Sequence, residues 1–279
     1  MPTVKVGDIN IYYEIHGEGE ALVLIQGFGG SSGQWYREIP GLSREYRVVA
    51  FDNRGTGRSD KPDIPYTMEM MAGDIAGLLE AIGIDAAHIY GVSMGGMIAQ
   101  EFALRYPERV ISLVLGCTLC GGTHAIMPDG EVMTVLFDME RMKRLTPEEG
   151  ARELLPFLCS QEFIDNNPDI VEQWIAKAVE YVTPLHGYQR QAEAMMFHDT
   201  YDRLPQIKAP TLVISGTADR LVPFENSRVL ASRIPSAELV FLENVGHGFF
   251  GAEEELNKAV LDFLRRHPRP SCSKAIEMG

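Results

Sequence analysis

Ala21-Leu22-Val23-Leu24-Ile25 is a continuous apolar run of strand length with no polar face, and Arg47-Val48-Val49-Ala50-Phe51 nearly repeats it. Such a strand must be covered on both sides, so it belongs at the centre of a parallel sheet with helices above and below. Further strand-like runs occur at His88–Tyr90, Val110–Leu115, Thr211–Ser215 and Leu239–Leu242, with stretches of helical period between them. After Thr67, a candidate N-cap, apolar residues fall at Met68, Met71, Ile75, Leu78, Leu79 and Ile82, and Gly83 closes the pattern. Met94–Tyr106 reads as a helix that ends before Pro107. Phe249–Arg266 reads as the last helix, with Glu253, Glu254 and Glu255 in its first turns and Arg265 and Arg266 at its end, matching the helix dipole. The alternation predicts an α/β fold with a mostly parallel sheet. Thr3–Val6 and Ile9–Ile15 flank Gly7-Asp8, a hairpin expected to lie antiparallel at one sheet edge.

One segment breaks the alternation. From about Thr123 to about Leu204 there is no strand-like run. Thr146-Pro147-Glu148-Glu149 is a capping box with Pro at the first helical position, Asn167-Pro168-Asp169 opens a helix in the same way, and Gln189–Phe197 reads as a third. A helical block between two sheet strands is expected to cap the carboxyl edge of the sheet, where α/β folds bind ligands. The expected organisation is a core of residues 1–122 and 205–267, a helical cap of 123–204, and a disordered polar tail of 268–279.

The composition removes several function classes. Lys and Arg number 25 against 39 Asp and Glu, a net charge of −14, with no local basic run. Nucleic acids and anionic membranes need a basic stripe, so neither is expected as a partner. Apolar residues make up 45% of the chain, enough to exclude disorder as its main state. No apolar stretch reaches the ~18 residues of a membrane span. The N-terminus has no apolar run behind positive charge, so no signal peptide is read there and a soluble cytoplasmic protein is expected. Four cysteines are too sparse for a disulfide framework. Cys117-x-x-Cys120 lacks a second Cys pair or a nearby His set, and is read as two small residues at a strand end. His16, His88, His124, His186, His198 and His267 show no metal spacing, so no metal and no cofactor is expected. His88 is read as a strand residue with a satisfied ring, whereas His124 and His198 could reach a substrate from the cap.

The chemistry concentrates at Gly91-Val92-Ser93-Met94-Gly95, between a strand and a helix. A serine at so sharp a turn has a strained backbone, and flanking glycines relieve the crowding. Its hydroxyl stands at the sheet edge and at a helix N-terminus, whose free N–H groups favour a developing anion. Serine is a poor nucleophile at neutral pH and needs a base. His247, in Gly246-His247-Gly248, follows the last strand, and Asp219 follows the strand before it. No Asp or Glu follows the earlier strand at Gly116-Cys117-Thr118, so Asp219 is the expected partner of His247. The chain order Ser93, Asp219, His247 is that of α/β-hydrolases. A tetrahedral intermediate needs preorganised donors. The candidates are the N–H groups of Met94 and of Phe28, in the loop Gln26-Gly27-Phe28-Gly29-Gly30.

These residues together resemble the α/β-hydrolase superfamily, and within it the enol-lactonase, non-haem perhydrolase and small-carboxylesterase branch. The resemblance rests on Ile25-Gln26-Gly27-Phe28-Gly29-Gly30, on Phe51-Asp52-Asn53-Arg54-Gly55-Thr56-Gly57-Arg58-Ser59-Asp60, on the turn at Ser93, on Asp219 and on Gly246-His247. It is weakest in the cap. It implies an α/β-hydrolase fold and a cofactor-independent serine hydrolase, with Asp52 and Arg54 tied into the core. Where the family usually has His before the glycine of the oxyanion loop, this chain has Gln26. The hole is expected to survive, because its donors are backbone groups.

The cap is rich in methionine, whose flexible thioether suits an irregular apolar pocket. Gln26, Trp35, Leu119, Met195, Met196, Val222 and Phe249 are the candidate substrate-binding residues. The expected substrate is a small neutral ester or lactone with a short to medium acyl part. Acyl homoserine lactone hydrolysis, C–C bond hydrolysis and cofactor-free perhydrolysis use the same three residues and remain alternatives. A ligand-binding protein on the same scaffold is a fourth. Gly55-x-Gly57-x-x-Asp60 lacks the last glycine of a dinucleotide fingerprint and follows the second parallel strand.

Overall fold

The computed structural model describes residues 2–269. Eight strands form one sheet: β1 Thr3–Val6, β2 Ile9–His16, β3 Ala21–Ile25, β4 Arg47–Phe51, β5 Ala87–Val92, β6 Val110–Gly116, β7 Thr211–Gly216 and β8 Glu238–Leu242. Their order is β1-β2-β4-β3-β5-β6-β7-β8. The leading hairpin is antiparallel at the edge, as its turn predicts, and every pair from β4 to β8 is parallel. β3 has β4 on one side and β5 on the other, so the chain order reverses there. Connections leave a reversal point in opposite directions, which opens a crevice at the carboxyl ends of β3 and β5. The glycine loop after β3 and Ser93 after β5 meet at that crevice.

The helices are α1 Ile39–Leu42, α2 Met68–Ala81, α3 Met94–Arg105, α4 Gly130–Phe137, α5 Met139–Met142, α6 Pro147–Leu158, α7 Gln161–Asn166, α8 Pro168–Val179, α9 Leu185–Met196, α10 Glu225–Arg233 and α11 Glu253–Arg266. Every residue of β3 is buried, as a run without a polar face requires. On one face of the sheet, Val23, Ile89 and Leu113 pack against Ile75, Leu79, Ile98 and Phe102 of α2 and α3. On the other face, Leu24, Val48, Tyr90 and Val114 pack against Leu256, Val260 and Phe263 of α11. Thr67 caps α2 by accepting the Met70 N–H.

The segment between β6 and β7 holds α4 to α9 and no strand longer than one bridge, Gly121 to Asp199. The Thr146 box is complete: Thr146 Oγ1 accepts the Glu149 N–H at 3.2 Å, and Glu149 Oε2 accepts the Thr146 N–H at 2.7 Å. A separate apolar cluster, with Val132, Leu155, Phe157, Val171 and Trp174, holds α4, α6, α7 and α8 together, and Leu221 and Phe250 join it from the sheet side.

Three features differ from the sequence-based expectation. The last helix begins at Glu253, because Phe249 and Gly251 have φ of 53° and 78° and cannot sit in a right-handed helix. α10 has scattered apolar residues and a mostly polar exposed face, so it carries no clear periodic signal. α1 is too short to show a period. Nearly all of the expected tail, with Cys272, lies outside the described residues. Among the described residues no helix is long and apolar enough to cross a membrane.

Candidate active site

Ser93 sits between β5 and α3 with φ 54° and ψ −124°, a strained conformation for a residue with a side chain. The turn admits no bulk around it. A Cβ on Gly91 would lie 2.2 Å from the Gly95 carbonyl oxygen, and one on Gly95 would lie 2.1 Å from that of Ile25. The second contact sets α3 directly against the end of β3. Thr118 Oγ1 donates to the Ser93 carbonyl at 2.7 Å and holds the turn from the β6 side.

His247 Nδ1 lies 2.8 Å from Asp219 Oδ2. The other oxygen of Asp219 accepts the N–H groups of Leu221 and Val222 at 2.9 and 2.8 Å, so the carboxylate is fixed before it meets the ring. Asp219 accepts but does not donate, which puts the Nδ1 proton on its side and leaves Nε2 with its lone pair. Burial disfavours the charged ring, but the Asp219 carboxylate and then Cys117 outweigh it, so the His247 pKa is raised well above its ordinary value. Nε2 faces Cys117 Sγ at 4.0 Å, and among the described residues it makes no hydrogen bond to Ser93 Oγ. Such contacts are commonly loose in free enzymes and tighten around a substrate. Of the five non-glycine residues with positive φ among the described residues, Ser93, Cys117 and Phe249 line the cavity at this point.

The loop after β3 has its amides allotted in turn. Gly27 N–H donates to Gln26 Oε1 at 2.7 Å, Gly29 N–H to Gln191 Oε1 at 2.9 Å, and Gly30 N–H to the Gly27 carbonyl at 3.2 Å. Among the described residues the Phe28 N–H has no acceptor, and neither does that of Met94 at the first position of α3. Gln26 therefore tightens the loop through its own neighbour's amide. The loop lies beside the serine, since a Cβ on Gly27 would be 3.1 Å from Ser93 Cβ.

A cavity of about 430 Å³ contains Ser93 and His247, and Gln26, Phe28, Trp35, Leu119, Met195, Val222 and Phe249 line it. Met196 does not. Its side chain is 77% exposed, because the next position of a helix points about 100° away from Met195. His124 stacks on Tyr201 at 3.5 Å instead of reaching the cavity. His198 is buried elsewhere, its pKa pushed down to about 4 by burial. His88 bonds Ser112 Oγ at 2.8 Å and Glu20 at 3.1 Å, the satisfied strand histidine expected. Arg54 pairs with Asp74 at 2.6 Å, and Asp52 accepts the Ser32 and Arg58 amides at 2.6 Å, so that loop is structural.

The sequence did not signal Cys117 beside His247, or Gln191, Thr183 and Tyr188 over the loop after β3. Tyr188 packs on Phe28 with ring centroids 5.4 Å apart. The ligand atoms of Cys117, Asp219 and His247 lie within 4.8 Å of one another, a grouping of the kind that can hold a metal ion. In this structure the Asp219 oxygens face the His247 ring and the Leu221 and Val222 amides.

The family described as alpha/beta hydrolase fold matches residues 20–161, and one described as TAP-like protein matches residues 183–274. A protein of Azorhizobium caulinodans named "Putative carbamate hydrolase RutD" is 33% identical, over 94% of this chain and 98% of that protein. The crystal structure of the enol-lactonase from Burkholderia xenovorans LB400 superposes with a TM-score of 0.82 at 28% identity, covering 95% of this chain and all of that one. A thermophilic esterase from Thermogutta terrifontis, with malate bound, gives 0.82 at 30% identity, covering 96% of this chain and all of that one.

Proposed function

The chain belongs to the α/β-hydrolase family, and we propose that it is a hydrolase that cleaves carboxylic esters or lactones through an acyl group carried on Ser93. The observation that carries this proposal is the Asp219–His247 pair, fixed at 2.8 Å, with His247 lining the cavity that also contains Ser93. Ser93 Oγ attacks the acyl carbon as His247 Nε2 takes its proton. Asp219 holds the ring in the needed tautomer and stabilises its charged form. The Phe28 and Met94 N–H groups, which have no acceptor among the described residues, receive the oxyanion. His247 then gives its proton to the leaving alcohol. Water attacks the acyl-serine by the same route in reverse.

The wall made by Phe28, Leu119, Met195, Val222 and Phe249 favours a neutral substrate with a hydrocarbon acyl part. It suits an ester or lactone better than a small polar carbamate. A fluorophosphonate probe tests the chemistry. Labelling at Ser93 with one-to-one stoichiometry, abolished in Ser93→Ala, is the expected result. An unlabelled native protein, beside a known serine hydrolase that reacts in the same tube, overturns it. Initial rates on p-nitrophenyl esters, γ-lactones and aryl carbamates then separate the substrate classes.

A further inference from the structure

Part of the cavity wall is polar and has no role in the acyl chemistry above. Trp35 and Tyr90 are 3% and 1% exposed, and their rings lie 5.3 Å apart. Both line the cavity, and the Trp35 Nε1 and Tyr90 Oη atoms have no hydrogen-bond partner among the described residues. Glu38 is buried on the same wall, and burial lifts its carboxyl to about 6 against the pull of Arg37. The Tyr90 phenol is raised by its burial first, and then by Glu38 and Cys117. Cys117 Sγ is in turn 4.0 Å from His247 Nε2. Trp35, Glu38, Tyr90, Cys117 and His247 thus all line one cavity.

The chemistry of this wall is specific. The indole only donates, the phenol both donates and accepts, and an ionised carboxyl only accepts. Buried groups of this kind are costly to leave unpaired. A hydroxyl oxygen can accept from Trp35 or Tyr90 while its proton points to Glu38. A hydrocarbon acyl chain can satisfy none of the three. The apolar lining residues Leu119, Met195 and Val222 suit the acyl chain instead.

We propose that Trp35, Tyr90 and Glu38 form a subsite for the small hydroxylic molecule that accepts the acyl group, water in hydrolysis or a short alcohol in transesterification. The proposal rests on the serine-hydrolase reading. The acceptor's oxygen forms a bond to the acyl carbon of acyl-Ser93, and its proton passes to His247 Nε2. The bond from that carbon to Ser93 Oγ then breaks, and the proton on Nε2 moves to Oγ. Free serine and a carboxylic acid, or an ester of the alcohol, are released.

The test is the partition of the acyl-enzyme between water and methanol, read as the ratio of methyl ester to acid formed from a p-nitrophenyl ester. That ratio is set after acylation, and a partly inactive preparation does not change it. Wild type is compared with Tyr90→Phe, Trp35→Phe and Glu38→Gln, so that one poorly folding variant does not remove the test. The expected shift is about fivefold in at least one variant, the worth of one lost hydrogen bond. Ratios within about twofold of wild type in every folded variant overturn the subsite. So does a wild type that forms no methyl ester. Fluorophosphonate labelling of Ser93 in the same samples keeps the two failures apart. A labelled serine with unmoved ratios removes only the subsite, and an unlabelled serine removes the serine-hydrolase reading itself.

Discussion

Gln191 on α9 accepts the Gly29 N–H through Oε1 at 2.9 Å and donates through Nε2 to the Arg54 carbonyl at 3.0 Å. One buried amide thus ties the helical segment to the loop after β3 and to the loop after β4. Thr183 Oγ1 adds a bond to the Gly29 carbonyl at 2.9 Å. With the Gly29 amide taken, the amide of the loop left without an acceptor among the described residues is that of Phe28. The helices over the sheet therefore do more than enclose a pocket, since they also hold the loop beside Ser93.

Gln191→Leu should show this. It leaves the Gly29 N–H and the Arg54 carbonyl unpaired, at about 1–3 kcal/mol each in stability. With the loop free to shift, kcat for ester cleavage should fall by about tenfold or more with KM changed much less, because the lost fit is to the oxyanion. Urea melts and steady-state kinetics on one preparation read both quantities. A stability loss with kcat intact would mean that the loop keeps its shape without the amide.

The pH profile depends on His247. The base must be neutral to accept a proton, and its pKa is raised by Asp219 and Cys117 despite burial. The kcat/KM for a neutral ester should therefore climb through a limb above the ordinary histidine value of ~6.5 as pH rises. Asp219→Asn removes the charge that raises it, so the limb should move to lower pH. On the proposed mechanism kcat should also fall by something on the order of 10⁴. A limb that stays in place in Asp219→Asn would show that another group titrates.

Most of the architecture was legible because its signals are local. β3 and β4 announce themselves as unbroken apolar runs, and α2 by its period and Thr67 cap. Ser93, Asp219 and His247 were legible because each follows a strand, and strand ends share one edge of a parallel sheet. The pairing of Gln191 with Gly29 was not, since it spans 162 positions and neither residue carries a motif. Cys117 was passed over for the same kind of reason. A strand-end cysteine is common, and only the fold brings it to His247. Met196 was misassigned because a methionine's identity does not say which side of a helix it occupies.

Gly95→Ala should be one of the most damaging small substitutions. Its Cβ would lie 2.1 Å from the Ile25 carbonyl oxygen and 2.8 Å from that of Gln26, both backbone atoms that cannot step aside. The cost should be about 3 kcal/mol or more, at the top of the range for overpacking. Gly73→Ala in α2 is the matched control, with its nearest contact at 3.8 Å, and should gain about 0.5–1 kcal/mol. Equal stabilities for the two variants would mean that α3 can move off the end of β3 freely.

Glu38 gives a pH-dependent stability test. Its carboxyl is raised from 4.5 to about 6, so the folded state holds the proton more tightly than the unfolded chain. Below the unfolded value both states are protonated and nothing is lost. As pH rises through about 6 the folded protein is penalised by up to about 2 kcal/mol, at ~1.36 kcal/mol per unit. Glu38→Gln should thus gain on wild type by about that amount between pH 4 and pH 8. Denaturant melts at several pH values measure the difference. A gap that does not change with pH would contradict the buried carboxyl.

Met195 and Met196 are neighbours in sequence with opposite surroundings. Met195 lines the cavity, whereas Met196 is 77% exposed. On p-nitrophenyl esters from acetate to laurate, each added methylene buried under the helices should contribute roughly 0.8 kcal/mol, until the chain outgrows the space. The series should therefore rise and then fall, with short to medium chains preferred. Met195→Ala enlarges the space and should move the maximum to a longer chain. Met196→Ala takes away only a solvent-facing side chain, so its profile should overlay wild type. A profile that moves in Met196→Ala and not in Met195→Ala would mean that the acyl chain leaves the cavity by another route, over the outer face of α9.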